Sequence, residues 1–370
     1  METKICCIFN VAPHYNAPIY RLMDQELDCH FYFGDRIHMP INLMNYDELK
    51  GFSGLLRYVP LFSHFYWQRG SLKTLFKPYK HYILTGEVFC VSTWLILLIC
   101  LITKKKTYLW THGWYGDEPF IKRTIKKFFF NLSSNVLLYG DYARDLMINE
   151  GFNEKKLTAI YNSLDYDAQK LIRLNLKPSS IYNSKFNNKW PVLLFIGRIQ
   201  KIKRLDLLID AMCLLNDKSM SCNLVIIGEE AEKTDIMSII KEKNIDDNVW
   251  MFGSCFDEYL IGELIYNADI CVSPGNVGLT AIHSLMYGTP VITHGNLCKQ
   301  MPEFEAIKAG ETGLFFKEND AVDLANTIEL WLATQSDQRE TVRSKAYKVI
   351  DEKYNPNKQI VILKTLIQVD

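Results

Sequence analysis

The chain has 370 residues, which is more than one ordinary core holds and fits two domains of roughly 150 to 180 residues. Its 42 Lys and Arg balance its 42 Asp and Glu, so bulk charge excludes a dedicated nucleic-acid binder and leaves room only for local patches. The ten cysteines form no C-x-x-C pair, and Cys6, Cys7, Cys222 and Cys271 sit in apolar, strand-like runs, which fits a reducing compartment.

From the amino terminus, Met1 to Asn10 reads as a strand and lacks the basic start and long apolar stretch of a signal peptide, so a cytoplasmic chain is expected. Strand patterns (KICCIFNVA, CHFYFG, HYILTG, TYLWTHG, NVLLYG, KLTAIYNS) then alternate with helical ones, and this rhythm predicts an α/β fold with a parallel sheet covered on both faces. Val88 to Ile102 is strongly apolar but falls short of the roughly 20 residues that span a bilayer. Followed by Lys104, Lys105 and Lys106 and then by another strand, it reads as the buried helix of a βαβ unit. His112, with Gly113 behind it, stands at a strand end and is expected to face a cleft. Glu87, Asp117 and Glu118 also follow strands; such carboxylates either serve as a base or simply cap helices.

The segment FIKRTIKKFFFNL places Ile121, Ile125, Phe128, Phe129 and Leu132 on one side of a helix and Lys122, Arg123, Lys126 and Lys127 on the other. Between Lys73 and Lys127, ten Lys or Arg stand against three acids, a local excess of seven in a neutral chain. The pattern suits docking on an anionic membrane surface, and a core helix with a solvated face looks the same. Asn175 to Lys189 is polar, carries Pro and Ser and has no sustained apolar period. We therefore expect a first domain over 1–172, a linker over 173–189, a second domain over 190–354, and a final helix over 355–370 that packs back toward the first domain.

A second alternating series starts at Trp190, giving two doubly wound domains whose facing loops would form a deep cleft. In FIGRIQKIKRLDLLIDAM, Gly197 ends a buried strand, and Arg198 and Lys203 lie five apart in the turn that follows. Two cations at a strand end suit a diphosphate, although an ordinary solvated turn would look similar. About eighty residues on, SPGNVGLTAIHSLMYGTPVITH runs an uncharged turn into a helix. The backbone N–H groups of Val277, Gly278 and Leu279 are expected to point out of that helix start toward an anion.

GRIQKIKRLDLLIDA, VIIGEE, VWMFG, ADICVSP, VGLTAIHSLMYGTPVIT and MPEFEAIKAGETGLFF stand in the order and spacing of the carboxyl-terminal domain of retaining glycosyltransferases of family 4, the glycosyl transferases group 1. The second half of the chain resembles that family closely, IYNSLD before it is similar to the family's PNGVD element, and the rest matches mainly in layout. The resemblance implies a GT-B fold with two Rossmann-like domains and transfer of a sugar from a nucleotide diphosphate sugar to an acceptor hydroxyl. It makes Arg198 and Lys203 the pair on the donor diphosphate. It sets Gly197, Gly228, Glu229, Phe252, Asn276, Val277, Gly278, Leu279 and Glu303 on the donor side, and brings His112 to the transferred sugar. Pro13, His14 and Tyr15 replace the family's usual glycine pair after the first strand and would line the acceptor side.

The chain departs from the family where two glutamates usually stand eight apart, for those places hold Gly275 and His283. A neutral imidazole offers one donor and one acceptor, enough for a ribose hydroxyl, while a satisfied core histidine is the competing reading. Asp165 and Asp167 form a D-x-D, but inside the element that leads to the linker, so neither a metal nor another cofactor is expected. The expected partners are the nucleotide sugar, a lipid-linked or saccharide acceptor and an anionic membrane surface at the inner face of the cell membrane, in assembly of a bacterial polysaccharide or glycolipid. A sugar-nucleotide epimerase of the same fold and a non-catalytic partner subunit are the alternatives.

Overall fold

The computed structural model describes residues 5–36, 42–335 and 338–368. Two units emerge from it, Met1–Asp165 with Asn355–Asp370, and Tyr166–Tyr354.

Unit 1 is built on eight strands, β1 (Ile5–Phe9), β2 (Cys29–Gly34), β3 (Phe52–Pro60), β4 (Tyr66–Arg69), β5 (His81–Thr85), β6 (Lys106–Thr111), β7 (Asn135–Leu138) and β8 (Leu157–Ala159). They lie in the order β4-β3-β2-β1-β5-β6-β7-β8, all parallel except the β3–β4 pair at the edge. Continuous apolar runs such as ICCIF and HYILT can be central strands because helices bury both faces. Helices α1 (Ala17–Leu27), α2 (Val91–Ile102), α3 (Phe120–Asn131) and α4 (Asp141–Asn149) supply that cover.

The apolar run at 88–102 does form a βαβ helix, α2, but it is buried on one face only, with Leu98, Leu101 and Ile102 exposed, and no helix among the described residues is long and apolar enough to cross a membrane. The expected phase of α3 is corrected. Lys126 is buried at 6% exposure with Phe129 and Phe130, while Ile121 and Phe128 are 73% and 59% exposed. The reason is a buried ion pair. Lys126 Nζ reaches Glu118 Oε1 at 2.5 Å and the Gly113 carbonyl at 2.6 Å, and its charge lies 4.9 Å from the Trp114 ring centre. One cation tied to the loop after β6 thus turns the helix, and the Phe129–Phe130 pair takes the core.

Unit 2 carries α5 (Tyr166–Asn175), β9 (Val192–Ile196), α6 (Leu205–Asp217), β10 (Asn223–Ile227), α7 (Ile236–Glu242), β11 (Val249–Gly253), α8 (Glu258–Asn267), β12 (Ile270–Ser273), α9 (Thr280–Met286), β13 (Val291–His294), β14 (Gly313–Phe316), α10 (Ala321–Gln335) and α11 (Arg339–Glu352). Its six parallel strands run β11-β10-β9-β12-β13-β14. Strand order reverses between β9 and β12, which opens a crevice beyond their carboxyl ends.

The division falls at Asp165 rather than at residue 172, because α5 packs against α8 and α9 of unit 2. Nor is 178–189 a free linker. Tyr182 and Phe186 are buried in the unit 2 core, the Tyr182 hydroxyl donates to the Leu264 carbonyl, and Asn267 Oδ1 accepts from the Ser179 N–H at 2.8 Å. Two aromatics four apart outweigh the polar composition around them. The last helix, α12 (Pro356–Gln368), packs on α1 in unit 1 through Ile360, Leu363 and Ile367.

Candidate functional site

The richest polar constellation of unit 2 lies at the β9/β12 crevice. Gly197 leaves β9 with φ of +143°, and Gly228 leaves β10 with φ of +152°. A Cβ on Gly228 would meet the Gly197 carbonyl oxygen at 1.9 Å, so the two strand ends touch backbone to backbone. After β12, the Gly275 N–H donates to the Lys203 carbonyl at 3.0 Å, and Lys203 Nζ donates to the Asn276 carbonyl at 2.6 Å. Thr280 Oγ1 at the start of α9 donates to the Ile196 carbonyl at 2.8 Å. These bonds bring Gly197, Lys203, Asn276 and Gly278 into one corner.

Electrostatics at that corner are shaped by burial. Desolvation pushes the Lys203 ammonium down to about 8, the Glu303 carboxylate partly opposes the shift, and Arg198 adds to it. Glu303 is buried, so its negative charge acts on Lys203 from inside the protein. Arg198 is half-buried and makes no ion pair or side-chain hydrogen bond among the described residues. A desolvated cation beside an uncommitted guanidinium suits a multiply charged anion.

The turn differs from expectation in one respect. The Val277 N–H does not point outward, for it donates to Gln300 Oε1 at 2.9 Å in the interior. Gln300 is buried and its amide donates in turn to Thr293 Oγ1 and the His294 carbonyl, both at 2.9 Å. This clamp has no local signature, since Gln300 lies 23 residues from Val277. The amides of Gly278 and Leu279 donate to no group among the described residues, and they remain as the outward donors. We expect Gln300→Ala to strand the Val277 N–H and cost about 1 to 3 kcal/mol, read as a lowered midpoint in urea unfolding.

His283 is held inside unit 2. Its Nε2 lies 2.8 Å from Glu258 Oε1, which also accepts from the Tyr287 hydroxyl at 2.7 Å and from Gln169 Nε2 at 2.9 Å. Burial opposes ionisation of Glu258, but the attraction of His283 and the hydrogen bonds from His283, Tyr287 and Gln169 prevail and hold the carboxyl below its usual range. Nδ1 of His283 makes no hydrogen bond among the described residues. A carboxylate from α8 therefore stands against His283. Glu258 reads in the sequence only as a first-turn acid, and nothing local marks it as the histidine's partner.

Two further donor-side candidates follow β10 and end β11. Glu229 is exposed, and its carbonyl accepts the Ile199 N–H at 2.8 Å; Phe252 packs on Trp250 with ring centres 5.0 Å apart at the edge of the sheet. Among the described residues no group of three His, Cys, Asp or Glu is placed to hold a metal ion.

In unit 1, His112 follows β6 against Tyr139, with ring centres 4.9 Å apart. Burial pushes its imidazolium down to about 4, with the Lys126 charge adding, so the ring is neutral at pH 7. Pro13 pairs with Leu43 in an isolated bridge, the His14 N–H donates to the Asn42 carbonyl at 2.9 Å, and the rings of His14 and Tyr15 meet edge to face at 5.5 Å. Between β1 and β5, where the order of this sheet reverses, Tyr66 donates to Glu87 Oε2 at 2.9 Å, and Asn10 Nδ2 reaches the same oxygen at 2.5 Å. Glu118 proves to be the structural partner of Lys126, also accepting from the N–H groups of Tyr115 and Gly116 at 3.0 Å.

The family model described as glycosyl transferases group 1 matches residues 178–349. Over this stretch the chain is similar to group 1 glycosyl transferases. The matched residues make up most of unit 2. Mannosylfructose-phosphate synthase of Agrobacterium fabrum is 28% identical over 176 residues, covering 44% of this chain and 37% of that protein. D-inositol 3-phosphate glycosyltransferase of an Arthrobacter species is 32% identical over 146 residues, covering 37% and 33%. The chain thus spans about a third of the length of these curated relatives. The solved structure of Anabaena HepE in complex with UDP is similar over 100% of both chains, with a TM-score of 0.73 at 14% identity. That likeness shows the fold, two Rossmann-like units of the GT-B type.

Proposed function

We propose that the chain is a retaining, metal-independent glycosyltransferase that moves a sugar from a nucleotide diphosphate sugar to an acceptor hydroxyl. The observation that carries this reading is the corner at the β9/β12 crevice, where the half-buried, uncommitted Arg198 stands beside Lys203, itself held on the turn that leads to Gly278. In the transfer, the bond between the anomeric carbon and the diphosphate oxygen breaks and a bond to the acceptor oxygen forms. The acceptor's proton passes to the departing phosphate. Charge builds on the diphosphate, and Arg198, Lys203 and the Gly278 and Leu279 amides would stabilise it. Phosphate and ribose recognition fall to this chain's own side chains, with His283, backed by Glu258, the candidate for a ribose hydroxyl through Nδ1. Neutral His112 would contact the transferred sugar, and the loop at Pro13, His14 and Tyr15 the acceptor. The relatives' names support assembly of a saccharide, and we place the reaction in bacterial surface polysaccharide or glycolipid synthesis at the inner membrane face.

The test is thermal stabilisation by UDP, GDP, ADP and their sugars, since a ligand that binds the folded state raises its melting point. One base should stand out, UDP being the first to try because the similar HepE structure contains it. Arg198→Ala should abolish the shift and His283→Ala should weaken it. No shift with any nucleotide, where a control transferase responds, would remove the transferase reading.

Nucleotide affinity should also fall as the pH rises. An anion bound at Lys203 draws its pKa upward from about 8, so the complex binds more protons than the free protein above that value. Affinity is complete below about pH 8 and declines above it, by at most about tenfold per pH unit. Calorimetric titration across this range checks the sign, and Lys203→Met should flatten the profile.

A further inference from the structure

The corrected phase of α3 leaves unit 1 with an apolar surface that none of the described residues covers. On α2, Leu98, Leu101 and Ile102 follow one another at helical spacing on the outer side, and Ile102 is 80% exposed. On α3, Ile121, Ile125 and Phe128 form a second outward stripe. The stripes meet where Trp94 of α2 stacks on Phe128 of α3, ring centres 6.0 Å apart. Phe76 extends the surface at the other end, its segment tied to the end of α2 by Lys105 Nζ on the Leu75 carbonyl at 2.9 Å. Single exposed apolar residues are ordinary, but two adjoining helical stripes of large side chains are not.

Lysines outnumber acids on the segments that carry this surface, where Asp117 ahead of α3 is the exposed acid. Lys73, Lys104 and Lys122 are exposed and pair with no carboxylate among the described residues, and Lys106 stands beside Lys104 and Lys105 where α2 ends. The nearby acids Glu118 and Glu150 are already committed to Lys126 and Arg123. Apolar side chains ringed by unpaired lysines match a lipid surface with anionic headgroups, where the side chains enter the acyl boundary and the ammonium groups stay with the phosphates. We infer that the outer face of α2 and α3 is a membrane-docking surface for a bilayer containing anionic lipid. It deepens the membrane contact included in the proposed function by naming the surface, and it rests on geometry independent of the nucleotide site.

The experiment is sedimentation of the full chain with vesicles of phosphatidylcholine alone or mixed with phosphatidylglycerol, without nucleotide. We expect binding to the mixed vesicles, weakened by salt. The combined Ile102→Ser, Ile121→Ser and Phe128→Ser variant should lower the partition coefficient by about tenfold or more, because each apolar side chain withdrawn from the lipid removes part of the binding. Lys104→Glu with Lys122→Glu should lower it chiefly at low salt. All five positions are exposed, and unchanged melting curves and nucleotide shifts confirm that the variants fold. The inference is overturned if wild type ignores mixed vesicles, or if the serine variant sediments as wild type does. It is equally overturned if the apolar face instead sustains a concentration-dependent dimer that the serine variant abolishes, as sedimentation velocity would show. Nucleotide binding that fails while vesicle binding persists would sink only the transferase reading.

Discussion

Lys203→Ala should lower kcat/KM for sugar transfer by about a hundred- to a thousandfold, the loss seen when one preorganised donor to a developing negative charge is removed. The effect is large because burial has already stripped water from the ammonium, so the charge faces the diphosphate in a medium that screens it weakly. Arg198→Ala should act on a similar scale, and the double variant should lose less than the product of the two, since the groups share one anion. Lys203 also holds the Asn276 carbonyl, so part of the change could come from a loosened turn. The two contributions separate in measurement. A loosened turn lowers the melting temperature of the free protein, whereas lost charge stabilisation shows in the kinetics and in nucleotide affinity. Wild-type kcat/KM in Lys203→Ala would remove Lys203 from the mechanism.

Gly275→Ala should destabilise unit 2 by roughly 3 kcal/mol or more, well beyond the usual cost of a small-to-large change in a packed interior. A Cβ at this position meets the Ile202 carbonyl oxygen at 1.9 Å and the Lys203 Cα at 2.8 Å. Both obstacles are backbone, so no rotamer change relieves them. The Gly275 N–H is bonded to the Lys203 carbonyl, and a shift of the turn would break that bond and displace the lysine. We therefore expect a lower midpoint in urea together with loss of the nucleotide shift. Gly275→Glu, which restores the acid usual in the family, should fare no better. The first missing glutamate is thus a steric matter, for the chain here brings the β9 turn too close to leave room for a side chain.

Much of the fold is legible because parallel strands buried on both faces must be almost wholly apolar. ICCIF, HYILT and VLLFI could be read one by one, and their alternation with helical segments specifies the class. The phase of α3 was not legible. Its two apolar arcs, Ile121–Ile125–Phe128 and Phe129–Phe130, are equally greasy, and the choice between them is made by Lys126 finding Glu118 and the Gly113 carbonyl. A buried lysine is rare enough that the sequence reads it as surface. The linker failed for the converse reason, because Tyr182 and Phe186 anchor a stretch whose composition is that of a loop.

At the candidate site, the strand-end residues could be found, since Gly197, Arg198, Lys203 and Gly278 lie in contiguous motifs and are brought to one corner. The groups that hold them could not. Gln300 and Glu258 reach Val277 and His283 across 23 and 25 residues, and which side chain crosses such a gap depends on tertiary packing alone. Hence the sequence poses a question about His283 that only its bond to Glu258 addresses.

Unit 1 closes on itself through the far end of the chain. Gln359 of α12 donates to the Tyr161 carbonyl at 3.0 Å and accepts from Ser163 Oγ at 2.6 Å, while Ile360 and Leu363 fill the core beside α1. The strands of unit 1 are therefore expected to finish packing only once α12, made after unit 2, is in place. Unit 2 is continuous and can complete itself as soon as its own residues are out, whereas the strands of unit 1 must wait, one flank of their core bare, until α12 has been made. Synthesis order and the order in which the two units are completed are therefore expected to run in opposite directions.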